Sequence, residues 1–205
     1  MNAPLIGLDA TYALDAQPTG VGVYCQELLR GLPPALPSTR FRLYARAHRY
    51  RALLQQHGWR ASRPLFESTP RGLALFHGLN QRLPLRKRGL SICTFHDLFV
   101  LSADYSTPEF RERFAVQARH AAHDADLIIA VSHFTATEVR DRLGFPESRI
   151  RVVPHGVNLP SHVTPVSRRA RIILHAGAIQ KRKNLDLLVR AFTNAAPPDW
   201  QLHLA

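Results

Sequence analysis

The sequence predicts an α/β fold built around a mostly parallel sheet. Three observations carry that prediction. Short apolar runs alternate with amphipathic stretches along the chain, the order expected of strand–helix–strand units. One run, "DLIIAVS", is apolar without alternation, as in a strand covered on both faces. The amphipathic stretch that follows it carries its own boundary signals, Ser132 as an N-cap and Gly144 as a stop.

The elements follow in order. "LIGLDA" (Leu5–Ala10) reads as the first strand, closed by Asp9. "GVGVYCQELLRGL" opens after a glycine-containing turn and reads as a helix that Gly31, Pro33 and Pro34 end. "FRLYA" alternates and predicts a strand; "YRALLQQHG" predicts a helix ending at Gly58. "LALFHGL" and "SICTFHDL" predict two strands, and "RFAVQARHAAHDA" a helix. "DLIIAVS", "SHFTATEVRDRLG" and "RIRVVP" then predict strand, helix and strand. "LPSHVTPVSRRA" has two prolines and no periodicity, which marks a linker over 158–169. "RIILHAG", a helix and "WQLHLA" restart the pattern. The expected organisation is one α/β domain over 1–157, the linker, and the opening of a second domain over 170–205. A chain of 205 residues accommodates that at roughly 100–200 residues per domain.

Composition narrows the class. A hydrophobic content of 45 % with 20 % charged residues is that of a globular chain with a real core. No apolar run approaches the roughly 20 residues that span a bilayer. Asp9 and Asp15 interrupt any apolar leader, so a cytoplasmic location is expected. Cys25 and Cys93 lack metal or redox spacing and read as buried thiols. The net charge of +12 is uneven, because Glu67 is the only acid between Glu27 and Asp97. That stretch holds Arg40, Arg42, Arg46, Arg60, Arg82, Arg86, Lys87 and Arg88 among others. It predicts an anionic partner or, equally, a solvated basic surface.

In open parallel sheets the ligand lies beyond the C-terminal strand ends. Gly20, Val21 and Gly22 open the first helix after the first strand, where backbone N–H groups favour phosphate and glycine admits close approach. A dinucleotide fingerprint would need glycine at position 25, which is Cys25, so a nicotinamide-binding reading is weak. His96 and Asp97 end a strand together and form the candidate catalytic pair, His96 donating to a substrate hydroxyl and Asp97 orienting it or capping a helix. His77 stands similarly in "LFHGLN". Lys181, Arg182 and Lys183 precede the last helix, where cations oppose its dipole unless they share an anion with it.

"TGVGVY", "FHDL", "DLIIAVSHFTATEVRDRLGFPESRIRVVPHGVN" and "HAGAIQKRKNLDLLVRAF" resemble glycosyltransferase family 4, in its mannosyltransferase-like branch, in the family's order and over nearly the whole chain. The resemblance implies the GT-B arrangement, in which two Rossmann-like domains face each other, acceptor on the first and nucleotide-sugar donor on the second. It implies that Gly20, Val21 and Gly22 approach the donor diphosphate, that His96 contacts the transferred sugar, and that Arg182 and Lys183 neutralise the leaving group. It places His155 and Gly156 of "HGVN" in the segment between domains, usually written NGVD, and makes His77 and Ser132 candidates for the acceptor or donor loops. His155, Asn158 and Ala178 depart from the family pattern, which leaves more of the phosphate work to Arg182 and Lys183.

The activity so implied is retaining transfer of a hexose, mannose by resemblance, from a nucleotide diphosphate sugar to a saccharide or lipid-linked acceptor in polysaccharide assembly. No metal or other cofactor is expected, because lysine and arginine would stabilise the departing diphosphate. The expected partners are the nucleotide sugar, the acceptor and an anionic membrane surface at the inner face, with no specific nucleic acid. The family's second domain continues to two glutamates eight positions apart, and no two glutamates here have that spacing. The chain is therefore expected to be truncated early in the donor domain and inactive alone. The competing readings are a fragment that binds acceptor without catalysis and a basic nucleic-acid-binding domain. Phe41, Tyr44, Tyr50 and Trp59 lie among the arginines but form no recognisable module.

Overall fold

The computed structural model describes residues 3–102 and 106–205, without the side chains of Trp59, Arg60 and Ser102. Two of the basic-stretch residues weighed above, Trp59 and Arg60, thus have side chains outside the described set. The chain divides into two compact units, Met1–His155 and Gly156–Ala205.

The first unit is a seven-stranded sheet with helices between its strands. β1 (Leu5–Asp9), α1 (Gly20–Ala35), β2 (Arg40–Arg46), α2 (Ala47–Ala61) and β3 (Ser62–Leu65) form one wing. β4 (Leu75–Gly78), β5 (Ser91–Phe95), the short α3 (Phe99–Ser102), α4 (Pro108–Asp124), β6 (Leu127–Ala130), α5 (His133–Leu143) and β7 (Ile150–Val152) form the other. The strand order is β3-β2-β1-β4-β5-β6-β7, and all its ladders are parallel among the described residues. The chain leaves β1 in one direction and returns to its other side at β4. That reversal is the topological switch point of a doubly wound, Rossmann-like sheet.

Two cores lie against this sheet, and the period of two along a strand assigns residues to them. In β2, Leu43 and Ala45 join the cluster of Leu8, Ala10, Cys25 and Leu53, which α1 and α2 cover. Tyr44 between them joins the other cluster, with Phe76, Phe95 and Ile128. α4 reaches that second core through Ala115, Ala118, Ala121 and Ala122, whose small side chains let the helix sit close. Thr107 caps α4 by accepting from Phe110 N, with Pro108 as its first residue.

Several boundaries differ from the sequence reading. α1 runs on to Ala35 with Pro33 and Pro34 inside it. Proline φ fits a helix, and Leu36 N still reaches Leu32 O at 3.0 Å, so the last turn closes despite the missing donors. Gly58 does end the first run of α2: its φ of 71° breaks the helix, and a short second run continues to Ala61. β3 was not predicted; "SRPL" carries a proline and lies at the sheet edge, where no ladder donor is needed from Pro64.

The second unit holds β8 (Ile172–His175), α6 (Leu185–Ala195) and β9 (Gln201–Leu204), a parallel strand pair joined by a helix. Among its described residues none is buried. Apolar side chains including Ile173, Leu188, Phe192 and Trp200 line an open hollow of about 350 Å³ between its helix and strands.

Candidate functional site

The C-terminal strand ends around the switch point carry the first unit's polar groups. Asp9 ends β1 and is buried; its Oδ1 accepts from Thr11 N at 3.1 Å and from Thr11 Oγ1 at 2.5 Å. A one-turn helix, Thr11–Leu14, follows and leads to α1. Thr19, the N-cap of α1, makes no side-chain capping bond, so the first N–H groups of Gly20, Val21 and Gly22 lack that partner.

The two glycines differ physically. A Cβ on Gly22 would meet Pro18 Cβ and Tyr12 O, both at 2.9 Å. Gly22 is therefore required by packing against the preceding turn. A Cβ on Gly20 would meet nothing within 4 Å, so no neighbour in the chain demands glycine there. Gly78, at the end of β4, is required more strictly still, since its Cβ would lie 2.4 Å from Arg82 O. That tight turn carries the Leu79 and Asn80 carbonyls to the switch point.

Those carbonyls anchor the site. His96 Nε2 donates to Leu79 O at 3.0 Å, and Cys93 Sγ donates to Asn80 O at 3.0 Å. Because a carbonyl only accepts, Nε2 carries the proton. Burial pushes the His96 pKa down, the Leu79 hydrogen bond opposes that, and His155 pushes it down further. The neutral ring then offers Nδ1 as a lone pair, which accepts from a hydroxyl; the expectation that His96 donates does not fit this tautomer. Among the described residues none bonds Nδ1.

Three rings gather here. Tyr24, one turn into α1, meets His96 edge-on at 4.8 Å and His155 at 4.9 Å. His96 and His155 stack at 5.5 Å with planes 23° apart. Tyr24 OH lies 3.1 Å from Thr94 Oγ1, which lies 2.9 Å from His77 Nε2. Thr94 has one proton and two lone pairs, so it donates to at most one of these neighbours and accepts from the other or from both. Burial raises the Tyr24 pKa against the Thr94 hydrogen bond, and burial lowers His77 to about 4, so both are neutral near pH 7. The result is an uncharged relay, His77–Thr94–Tyr24, ending against two histidine rings.

The structure thus brings together His77, His96 and His155 of the predicted residues, on one side of α1's glycine-opened start. Ser132 is the N-cap of α5: its Oγ accepts from Thr135 N at 3.1 Å, and Thr135 Oγ1 donates to His96 O at 3.2 Å. Ser132 therefore acts through the loop that holds His96. Asp97 is exposed and precedes α3. Gly156, Arg182 and Lys183 belong to the second unit. Arg182 and Lys183 fall in a one-turn helix, Lys181–Lys183, and Arg182 Nε donates to Gln180 Oε1 at 2.8 Å.

Sequence reasoning missed Tyr24 and Thr94. Thr94 had a legible signal, a polar residue inside "SICTF" where both strand faces are covered. Tyr24 lies four residues after Gly20, on the same side of α1. The basic stretch disperses over β2, α2, β3 and the loop before β5. Lys87 Nζ is held by Asp126 at 2.6 Å, and Arg49 pairs with Asp15. No described helix is long and apolar enough to cross a membrane.

The first unit is thus a doubly wound α/β sheet with a neutral histidine, His96, at its strand ends. The sequence model of Glycosyltransferase Family 4 matches residues 24–160, two thirds of the chain, and the chain belongs to that family. The match contains Tyr24, His77, His96, Ser132 and His155. The solved structure of the wall teichoic acid polymerase TagF is similar over 100 % of this chain and 56 % of its own, at 12 % identity and a TM-score of 0.48. The chain spans about half the length of that protein. No curated protein matches the chain.

Proposed function

We propose that the first unit is the acceptor-side domain of a retaining hexosyltransferase that uses a nucleotide diphosphate sugar, mannose being the sugar the resemblance favours. The observation that carries this reading is the ring cluster of Tyr24, His96 and His155 at the strand ends of a family 4 domain. Stacked rings offer flat faces to a sugar, and His96 Nδ1 accepts from one of its hydroxyls. Gly20 and the first N–H groups of α1 suit a diphosphate oxygen, and Gly20 has no packing reason to be glycine. Arg182 and Lys183, in the second unit, are assigned to a donor diphosphate by resemblance.

Charge on the departing diphosphate is stabilised by preorganised donors and cations. Burial lowers the His96 pKa against the Leu79 hydrogen bond, with His155 lowering it further, so its lone pair is present at physiological pH. The second unit has no buried residue among those described, which is a weak platform for a donor site. We therefore infer that this chain binds saccharide acceptor but turns over little donor.

Saturation-transfer NMR with a saccharide panel tests the acceptor reading. Mannose-containing oligosaccharides are expected to bind, with affinity at least about tenfold lower in His96→Ala, the loss of about 1.4 kcal/mol expected of one hydrogen bond. No saccharide binding by the folded chain would overturn the reading. Release or transfer of labelled mannose from GDP-mannose would overturn the inference of low turnover.

A further inference from the structure

A second cleft opens on the same unit, away from the ring cluster and sharing none of its residues. It has a volume of about 700 Å³ and lies beside the ends of β2 and β3, between the loop before β5 and α4. Arg46, the last residue of β2, lines it with Arg82. The Nε and Nη2 atoms of Arg46 are shut away from solvent and make no hydrogen bond. Its nearest acid is Asp9, whose Oδ2 is 3.9 Å from Nη2, too far for a hydrogen bond and already committed on its other oxygen to Thr11. Arg82 Nη1 has a long bond to Tyr12 OH at 3.4 Å.

Buried donors without acceptors are destabilising, and two guanidinium groups lining one cleft repel. The pKa of Arg46 reflects both: burial lowers it, Asp9 opposes, and Arg82 lowers it again. An anion held in the cleft between the two guanidinium groups would offset that repulsion. Arginine's planar fork suits phosphate oxygens in particular. The rest of the lining is mixed: Leu65, Leu83 and Pro84 form an apolar floor, Phe66, Leu85 and Val116 are 69 %, 65 % and 59 % exposed at the rim, and Ser68, Gln117 and His120 add polar groups. Glu67 also lines the cleft and is exposed.

We propose that this cleft binds a phosphate-bearing amphiphile, its anionic head held by Arg46 and Arg82 and its apolar chain lying on Phe66, Leu85 and Val116. Free phosphate shares the head-group chemistry but leaves the exposed apolar rim unused. The proposal deepens the acceptor reading above, because such a molecule would present a lipid-linked acceptor to the strand ends. Its test needs no sugar transfer, and failure here leaves saccharide binding at His96 standing.

The test is equilibrium binding to the full chain, by tryptophan fluorescence or calorimetry, of three probes: farnesyl diphosphate, inorganic pyrophosphate and farnesol. Farnesyl diphosphate should bind at least about tenfold tighter than either of the others. Arg82→Gln should weaken both anionic probes, and Val116→Asp, at an exposed position on α4, should weaken farnesyl diphosphate while sparing pyrophosphate. Arg46→Lys keeps the charge and loses the fork, and should weaken the diphosphates without unfolding the chain, as thermal melting would verify. Equal affinity for farnesyl diphosphate and pyrophosphate would overturn the apolar half of the proposal. Tight farnesol binding, or diphosphate binding indifferent to both arginine variants, would overturn the anionic half. No binding of farnesyl diphosphate to the folded wild type would overturn the whole.

Discussion

His77, one residue before the end of β4, has its ring closed off from solvent and its Nε2 against Thr94. Its pKa in the folded chain is about 4, pushed down by burial. Unfolded, the ring titrates near 6.5. Above that value neither state is protonated and His77 has no effect on stability. Between about 6.5 and 4 the unfolded chain takes up a proton that the folded chain refuses, so stability falls as pH falls through that window. From pH 7 to pH 5 the loss from this one ring should be about 2 kcal/mol in urea unfolding. His96 shifts in the same direction and adds to it. A His77→Gln chain should show a visibly shallower pH dependence over that range. An unchanged dependence would mean that the ring is protonated in the folded state, and the neutral relay to Tyr24 would be wrong.

At the scale of the element, α1 separates packing from ligand recognition. Gly22→Ala forces a methyl group against Tyr12 O and Pro18, and should destabilise by about 1–3 kcal/mol. Gly20→Ala adds a methyl in open space at the first helical position, and should raise stability by about 0.4–1 kcal/mol while weakening any diphosphate bound at the helix start. Chemical denaturation of the two variants distinguishes the glycines. Both were visible in "TGVGVY", but the sequence makes them look alike, because the neighbour that fills the space beside Gly22 is a carbonyl from an earlier turn. The same limit hid other features. Strands such as "DLIIAVS" and the helix bounded by Ser132 and Gly144 were legible, since local signals decide them. β3 was hidden because a proline spoils its propensity and its place at the sheet edge is what tolerates it. The partner of His96, a backbone carbonyl after β4, has no side-chain signature at all.

The whole molecule divides where the buried core stops. Met1–His155 encloses both apolar clusters, whereas Gly156–Ala205 presents Ile173, Leu187 and Val189 at 41–52 % exposure with no buried residue among those described. A unit with so little buried area opens easily. Limited proteolysis should therefore cut first within residues 156–205 and leave a resistant fragment ending near His155. Mass spectrometry of the early fragments checks this, and cleavage first inside the seven-stranded sheet would contradict it. That fragment, expressed alone, should retain the pH dependence assigned to His77, since every group around that ring lies within it.

The thiol of Cys25 shares the Leu79 carbonyl with His96, and that of Cys93 donates to the next carbonyl, Asn80 O. Burial pushes Cys25 to about 12, with Asp9 adding to it, and pushes Cys93 higher still. At pH 8 a thiol of that kind is ionised in only about one molecule in ten thousand, and alkylating reagents attack the ionised form. Neither cysteine reacts until the packing that buries it opens. The rate at which iodoacetamide labels the chain is therefore a clock for the opening of the core around α1 and β5, read without any ligand.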